Sequence, residues 1–236
     1  MIRICFLHGF AAGGAIWEPY RNTFPDAHMP YLRFAIDGTP FLPEITEPTV
    51  LVGWSLGGMV ALEMAARFSN LVKGIVLVSS APSFVASDLF PEGKPRSVLH
   101  EMRDGIVRGD PRTLQTFQRQ LFTAEEIRQG HLARFRREIG PLIEKAMLTG
   151  EMATANLLAQ LAFLERWRAL PHRYFIPITV VHGTSDAVID CAAVSAWKRL
   201  FPHATITTVE GGHAIPFVHH QLLILTITEI LSHAKA

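Results

Sequence analysis

Hydrophobic positions along this chain follow two rhythms. Short β-rich runs at 2–7, 31–36, 49–54, 74–79, 177–182 and 204–209, several of them almost wholly apolar, predict strands. Between them, stretches near 15–23, 57–68, 190–201 and 215–233 carry apolar residues at helical spacing. Strands and helices in alternation predict a parallel sheet. Runs such as Ile75-Val76-Leu77-Val78 are apolar toward both faces, as a sheet with helices on either side requires. The expected fold class is α/β, with a mostly parallel twisted sheet of about six strands inside a three-layer architecture.

Between Ala81 and Pro171 the alternation stops. Helical periodicity continues without a strand, and helices are predicted at 97–108, 111–121, 123–138 and 151–167. Gly109-Asp110-Pro111, Gly140-Pro141 and Gly150 punctuate them. The interval 82–170 is expected to be a helical lid inserted into a core of 1–81 and 171–236, the whole forming a single domain over 1–236.

Chemistry concentrates where predicted strands end. Gly53-Trp54-Ser55-Leu56-Gly57 is a G-x-S-x-G run between the strand-like Thr49–Val52 and the helix-like Met59–Phe68. A serine hydroxyl is a weak nucleophile at neutral pH, so it needs a sharp turn that exposes it and a neighbouring base to take its proton. Glycines on both sides permit such a turn. The helix that follows aims N–H groups at the same point, the Leu56 N–H first, where charge on a substrate oxygen would develop. The pattern fixes only three positions, and its bland reading is a glycine-rich helix start.

Two further strand ends supply partners. His182-Gly183-Thr184-Ser185-Asp186 follows the run 177–182, and Glu210-Gly211-Gly212-His213 follows 204–209. Ligands of open α/β sheets bind beyond the carboxyl ends of the strands, so Ser55, Asp186 and His213 are expected to open onto one crevice. Histidine is the usual base because it titrates near neutrality, and an acid fixes its tautomer. Asp190 is a rival acid, although an N-cap at the predicted helix start explains it as well. His8 and His182 each begin a loop before glycine, where bracing the turn is the expected role. His219-His220 reads as an exposed helical pair without a third metal ligand. The loop His8-Gly9-Phe10 is placed to give a second oxyanion donor, the Phe10 N–H. No G-x-G-x-x-G or Walker sequence occurs, and a reaction without a cofactor or metal is expected.

Charge adds an exclusion. Lys and Arg total 22 against 21 Asp and Glu, so the chain as a whole carries no footprint for nucleic acid or an anionic membrane. Arg128, Arg134, Arg136 and Arg137 cluster within the lid, where a solvated helix face is the ordinary reading. Two cysteines, Cys5 and Cys191, are too few for a disulfide framework. With no signal peptide in the short run 1–8 and no membrane-length apolar segment, a soluble cytoplasmic protein is expected.

The order Ser, Asp, His is that of the α/β hydrolases, and the chain resembles that superfamily over nearly its whole length. Within it, Gly53-Trp54-Ser55-Leu56-Gly57-Gly58, Ser79-Ser80-Ala81-Pro82-Ser83-Phe84 with Pro91 and Lys94-Pro95, and Gly212-His213-Ala214-Ile215-Pro216-Phe217 resemble the pimeloyl-acyl-carrier-protein methyl ester esterases of biotin synthesis. The resemblance implies hydrolysis of a methyl ester on a pimeloyl chain borne by acyl carrier protein. It assigns Ser55 as nucleophile, His213 as base, Asp186 as orienting acid, and the Phe10 and Leu56 N–H groups as oxyanion donors. Phe10, Trp54, Leu56 and the lid segment Phe117-Gln118-Arg119-Gln120-Leu121 would contact substrate, though Phe117 and Leu121 read equally as core residues of a lid helix. Arg112, with Arg128 and Arg134, would meet the acidic carrier.

Some features depart from that pattern. Phe10 stands where the esterases usually have tryptophan, and the lid arginine expected near Thr116 is missing. A Pro-Gly-x-Gly loop is shortened to Asp37-Gly38-Thr39-Pro40, and the two antiparallel strands that often open the superfamily's sheet are not expected, since the run 2–7 already leads to His8. Two other readings stay open: a broad carboxylesterase for short free esters, and a hydrolase-like protein that binds a small ligand with little turnover.

Overall fold

The computed structural model describes residues 2–148, 153–170 and 175–234. Gly150, the first two positions of the predicted helix 151–167 and the boundary residue Pro171 lie outside the described residues. The strands are β1 (Arg3–Leu7), β2 (Arg33–Phe34), β3 (Pro40–Phe41), β4 (Thr49–Trp54), β5 (Val72–Val78), β6 (Ile178–Gly183) and β7 (Thr205–Val209). Five of them form one sheet in the order β1-β4-β5-β6-β7, every pair parallel. All six residues of β4 are buried, because helices cover both faces of the sheet at its centre.

Among the described residues the sheet has five strands, against an expectation of about six. Only Arg33–Phe34 of the run 31–36 is extended, paired antiparallel with Pro40–Phe41 in a separate ribbon. Its amides are claimed elsewhere. Leu32 N–H donates to His8 Nε2 at 2.9 Å, Phe34 N–H to Asn156 Oδ1 at 3.0 Å, and Ala35 N–H to Thr39 O at 2.8 Å across a turn that Asp37 ties to the Thr39 N–H. With those donors spent, the segment cannot form a ladder on β1. Among the described residues, the free edge of β1 meets only an isolated bridge from Cys5 to His28.

Helices in the core are α1 (Leu56–Arg67), α8 (Ala193–Leu200), α9 (Ile215–Val218) and α10 (His220–His233). Between β5 and β6 come α2 (Arg96–Val107), α3 (Pro111–Gln120), α4 (Ala124–Arg128), α5 (His131–Glu138), α6 (Gly140–Leu148) and α7 (Thr154–Arg166). The predicted helix 15–23 is a 3-10 turn over Gly14–Tyr20 with Pro19 inside. The predicted helix 123–138 divides at Gly130, whose φ of 84° no continuous helix accepts. Helix α6 was not foreseen: Pro141 reads as a breaker, yet in a first turn its missing N–H has no partner to lose. One continuous buried cluster runs from the sheet, through Phe6, Leu51 and Val76, into the insertion, through Phe117, Phe135 and Phe163. The insertion is thereby packed on the carboxyl ends of the strands.

Candidate active site

Ser55 lies where β4 turns into α1, with φ 55° and ψ −120°. A non-glycine residue in this left-handed region stores about 1–2 kcal/mol. Ala11 and Ser79 share that sign of φ, at 52° and 44°, so the strain recurs beyond the ends of β1 and β5 on either side of β4. The turn is pinned by Ser55 N–H to Val78 O at 2.8 Å and by Ser80 Oγ to Ser55 O at 2.8 Å. Gly57 is obligatory here, because any Cβ would collide with the Leu7 carbonyl. Leu56 begins α1, so its N–H belongs to the first turn, which has no partner within the helix.

The loop after β1 runs beside this elbow. A Cβ on Gly9 would stand 3.3 Å from Ser55 Cβ and 2.9 Å from the Trp54 ring. His8, one residue earlier, is buried; its Nε2 accepts from Leu32 N–H, which leaves the proton on Nδ1 to donate to Gly9 O at 2.8 Å. Burial pushes its pKa down to about 4, against the opposing pull of the Gly9 hydrogen bond. Phe10 is buried with its ring edge-on to Phe117 of α3, centroids 5.3 Å apart. The Ala11 N–H reaches Gln160 Oε1 of α7 at 3.4 Å.

His213 and Asp186 meet beyond β7 and β6. His213 Nδ1 bonds Asp186 Oδ2 at 2.7 Å, and Oδ1 of Asp186 accepts from the N–H groups of Val188 and Ile189 at 2.8 and 2.9 Å. Both side chains are buried, and His213 Nε2 has no hydrogen-bond partner among the described residues. With Nδ1 donating to a carboxylate, Nε2 is left as the acceptor, the arrangement a general base needs. The Trp54 indole Nε1 donates to His213 O at 2.9 Å, which ties the histidine loop to the residue preceding Ser55. His182 stands behind, its Nε2 donating to Ile189 O at 3.0 Å and lying 3.6 Å from Asp186 Oδ2; burial lowers its pKa and the Asp186 charge opposes. Asp190 accepts instead from Ala192 N–H at 2.8 Å, at the approach to α8.

The other predicted residues divide. Phe117 and Leu121 turn inward and Gln118 is half-buried, whereas Arg119 and Gln120 face solvent. Arg112 is exposed and forks onto Asp110, two bonds of 3.0 Å, while Arg128 pairs with Glu125. Arg134 is held over the Phe217 ring, 4.3 Å from its centroid, and donates to Phe217 O at 3.0 Å. His219 and His220, read as an exposed helical pair, are both half-buried, His219 at the junction of α9 and α10. Among the described residues no group of three His, Cys, Asp or Glu side chains could hold a metal. No described helix is long and apolar enough to cross a membrane. Sequence reasoning passed over Glu126, a buried carboxylate reaching the His213 loop; its signal was the capping-box spacing Thr123-x-x-Glu126.

A strained strand-to-helix turn bearing Ser55 and a buried His–Asp pair beyond the carboxyl ends of a parallel sheet make a hydrolase-like arrangement. A family model of the alpha/beta hydrolase fold matches residues 45–220, and the chain belongs to that family. A pimeloyl-acyl-carrier-protein methyl ester esterase of Xanthomonas oryzae is 29% identical over 235 residues, covering 92% of this chain and 89% of the relative. Among solved structures, the esterase EaEST of Exiguobacterium antarcticum superposes with a TM-score of 0.74 at 17% identity, over 100% of this chain and 92% of the other. The enol-lactonase of Burkholderia xenovorans does so at 0.75 and 12% identity, over 98% and 91%. At such identities the structural matches speak for the fold alone.

Proposed function

We propose that the protein is a serine carboxylic ester hydrolase, and that its substrate is the methyl ester of a pimeloyl chain on acyl carrier protein, in the cytoplasm. The observation that carries the chemistry is the buried His213–Asp186 pair whose Nε2 has no hydrogen-bond partner among the described residues, joined through Trp54 to the strained turn that bears Ser55. The methyl ester and the carrier rest on the similarity to the Xanthomonas esterase, which extends over nearly the full length of both chains.

Ser55 Oγ attacks the ester carbonyl carbon as His213 Nε2 takes its proton. The carbonyl oxygen becomes an oxyanion facing the Phe10 and Leu56 N–H groups. His213 returns the proton to the departing methoxide, methanol leaves, and the acyl group stays on Ser55. A water, deprotonated by His213, attacks the acyl carbon; the carboxylate departs and Ser55 regains its proton. Phe117 and Leu121 flank the acyl chain, and Asp186 keeps the imidazole in its working tautomer.

Arg112 and Arg128 favour a second reading, a carboxylesterase for short free esters. Each is already neutralised by Asp110 or Glu125 on its own helix or cap, which weakens the case for a carrier contact. One experiment separates the two. The purified protein is offered pimeloyl-carrier methyl ester in competition with p-nitrophenyl butyrate, alongside Ser55→Ala. Preference for the carrier-bound ester, lost with Ser55, supports the proposal. Preference for the free ester moves the assignment to the second reading, and undiminished hydrolysis by Ser55→Ala removes Ser55 from the chemistry.

A further inference from the structure

We infer that Glu126, at the start of α4, is a positioning residue for His213, so that the base is correctly placed only while the helical insertion is seated on the sheet. The inference rests on His213 being the base proposed above.

Glu126 is only 6% exposed, and its hydrogen bonds come from main-chain amides. One oxygen, Oε2, accepts from Thr123 N–H at 2.7 Å, while Thr123 Oγ1 accepts from Glu126 N–H at 3.1 Å. That exchange is a capping box, which starts α4 and uses one oxygen of the carboxylate. The second oxygen has a different task. Oε1 accepts from Gly212 N–H at 3.1 Å, 86 residues away in sequence and adjacent to His213. Burying a carboxylate is unfavourable unless donors surround it, and helix capping alone would not require the burial.

The neighbouring contacts complete a clamp. Ala214 N–H donates to Leu121 O at 3.0 Å, just before α4. The amides before and after His213 are therefore both held by the junction of α3 and α4, while the carbonyl of His213 itself is held by Trp54 at 2.9 Å. The fit leaves no room for side chains. A Cβ on Gly212 would lie 2.8 Å from Leu121 O and 2.9 Å from Glu126 Oε2, and one on Gly211 would lie 3.0 Å from Glu126 Oε1. A loop fixed at three successive residues can hold its imidazole within the narrow tolerance that proton transfer demands.

The test uses the full-length protein and compares Glu126→Ala, Glu126→Gln and Thr123→Ala. Thr123→Ala removes the side-chain cap of α4 but leaves the Glu126 bond to Gly212 in place, so it measures helix stability alone. Steady-state kcat and KM on p-nitrophenyl butyrate are read with the melting temperature and the far-downfield proton signal of the His213 Nδ1–H···Asp186 bond. Glu126→Ala should lower kcat roughly 10- to 100-fold with KM nearly unchanged, and should broaden or shift the downfield signal. Glu126→Gln should fall between, because one amide oxygen can accept while its NH2 opposes an N–H. Thr123→Ala should lower the melting temperature yet keep kcat and the downfield signal. An unchanged kcat in Glu126→Ala, or an equal loss of kcat in Thr123→Ala, overturns the inference. Should Glu126→Ala fail to fold, the Gln variant decides by the same readouts. Ser55→Ala and His213→Ala run in parallel: if they stay active the hydrolase reading itself has failed, and if they are dead while the Glu126 variants are normal only the positioning role has.

Discussion

Acid should destabilise this protein well above the usual carboxylate range, and His8 should be a principal cause. Its imidazole is 1% exposed, with Nδ1–H donating to Gly9 O and Nε2 accepting from Leu32 N–H. A proton added to Nε2 would face the Leu32 N–H and sit in apolar surroundings. The folded protein therefore takes that proton only near pH 4, whereas the unfolded chain takes it near 6.5. Between these values the unfolded state binds more protons, so stability is fully present above about pH 6.5 and falls as pH drops toward about 4. The whole gap corresponds to about 3 kcal/mol, of which about 2 kcal/mol is lost by about pH 5. His182, also lowered by burial, adds a loss of the same sign. Its share cancels when wild type is compared with His8→Gln, whose side-chain carbonyl can accept from Leu32 N–H but cannot titrate. Urea unfolding of both proteins across about pH 7 to 5 should show wild type losing about 2 kcal/mol more than the variant. Parallel curves would refute the assignment of a buried, neutral His8.

Other substitutions probe the elbow, the acid and the arginines. Gly57→Ala forces a methyl group onto the Leu7 carbonyl and should destabilise by about 3 kcal/mol or more, seen as a lowered denaturant midpoint. Gly109→Ala has open space but a φ of 66°, and should lose only about 1–2 kcal/mol. Asp186→Asn should preserve the fold while lowering kcat on p-nitrophenyl butyrate on the order of 10³- to 10⁴-fold, because the amide favours the wrong imidazole tautomer. A drop below about tenfold would count against the orienting role. Arg134→Ala should destabilise by roughly 1–3 kcal/mol in urea through loss of the Phe217 stacking and hydrogen bond, whereas Arg112→Ala should stay within about 0.5 kcal/mol. If carrier binding uses Arg112, its loss raises KM for the carrier-bound ester alone.

What could be read directly from the residues was whatever depends on local pattern. The Gly53–Gly57 run lies between an apolar strand and a helix, and the loops bearing Asp186 and His213 follow strands that alternate with helices, so their side of the sheet was legible. The illegible parts are those where distant groups intervene. The run 31–36 has strand composition, but His8 and Asn156 take the amides that a ladder would need. Arg134 reads as one of a charged cluster, and only the folded chain puts Phe217 beneath it. At 123–126 the capping box was written in the sequence, but the second oxygen of Glu126 finds Gly212 only after β6 and β7 have formed.

The left-handed residues Ala11, Ser55 and Ser79 imply that the rim of the sheet is kept under tension along three adjoining strands. Ser79 is fully enclosed and its hydroxyl has no partner among the described residues, so it adds an electrostatic penalty to a conformational one. Glycine at 79 would relieve both, at the cost of the added chain entropy of glycine in the unfolded state. Thermal hardening could begin there, upstream of the insertion, while the matching stress at 55 is left untouched.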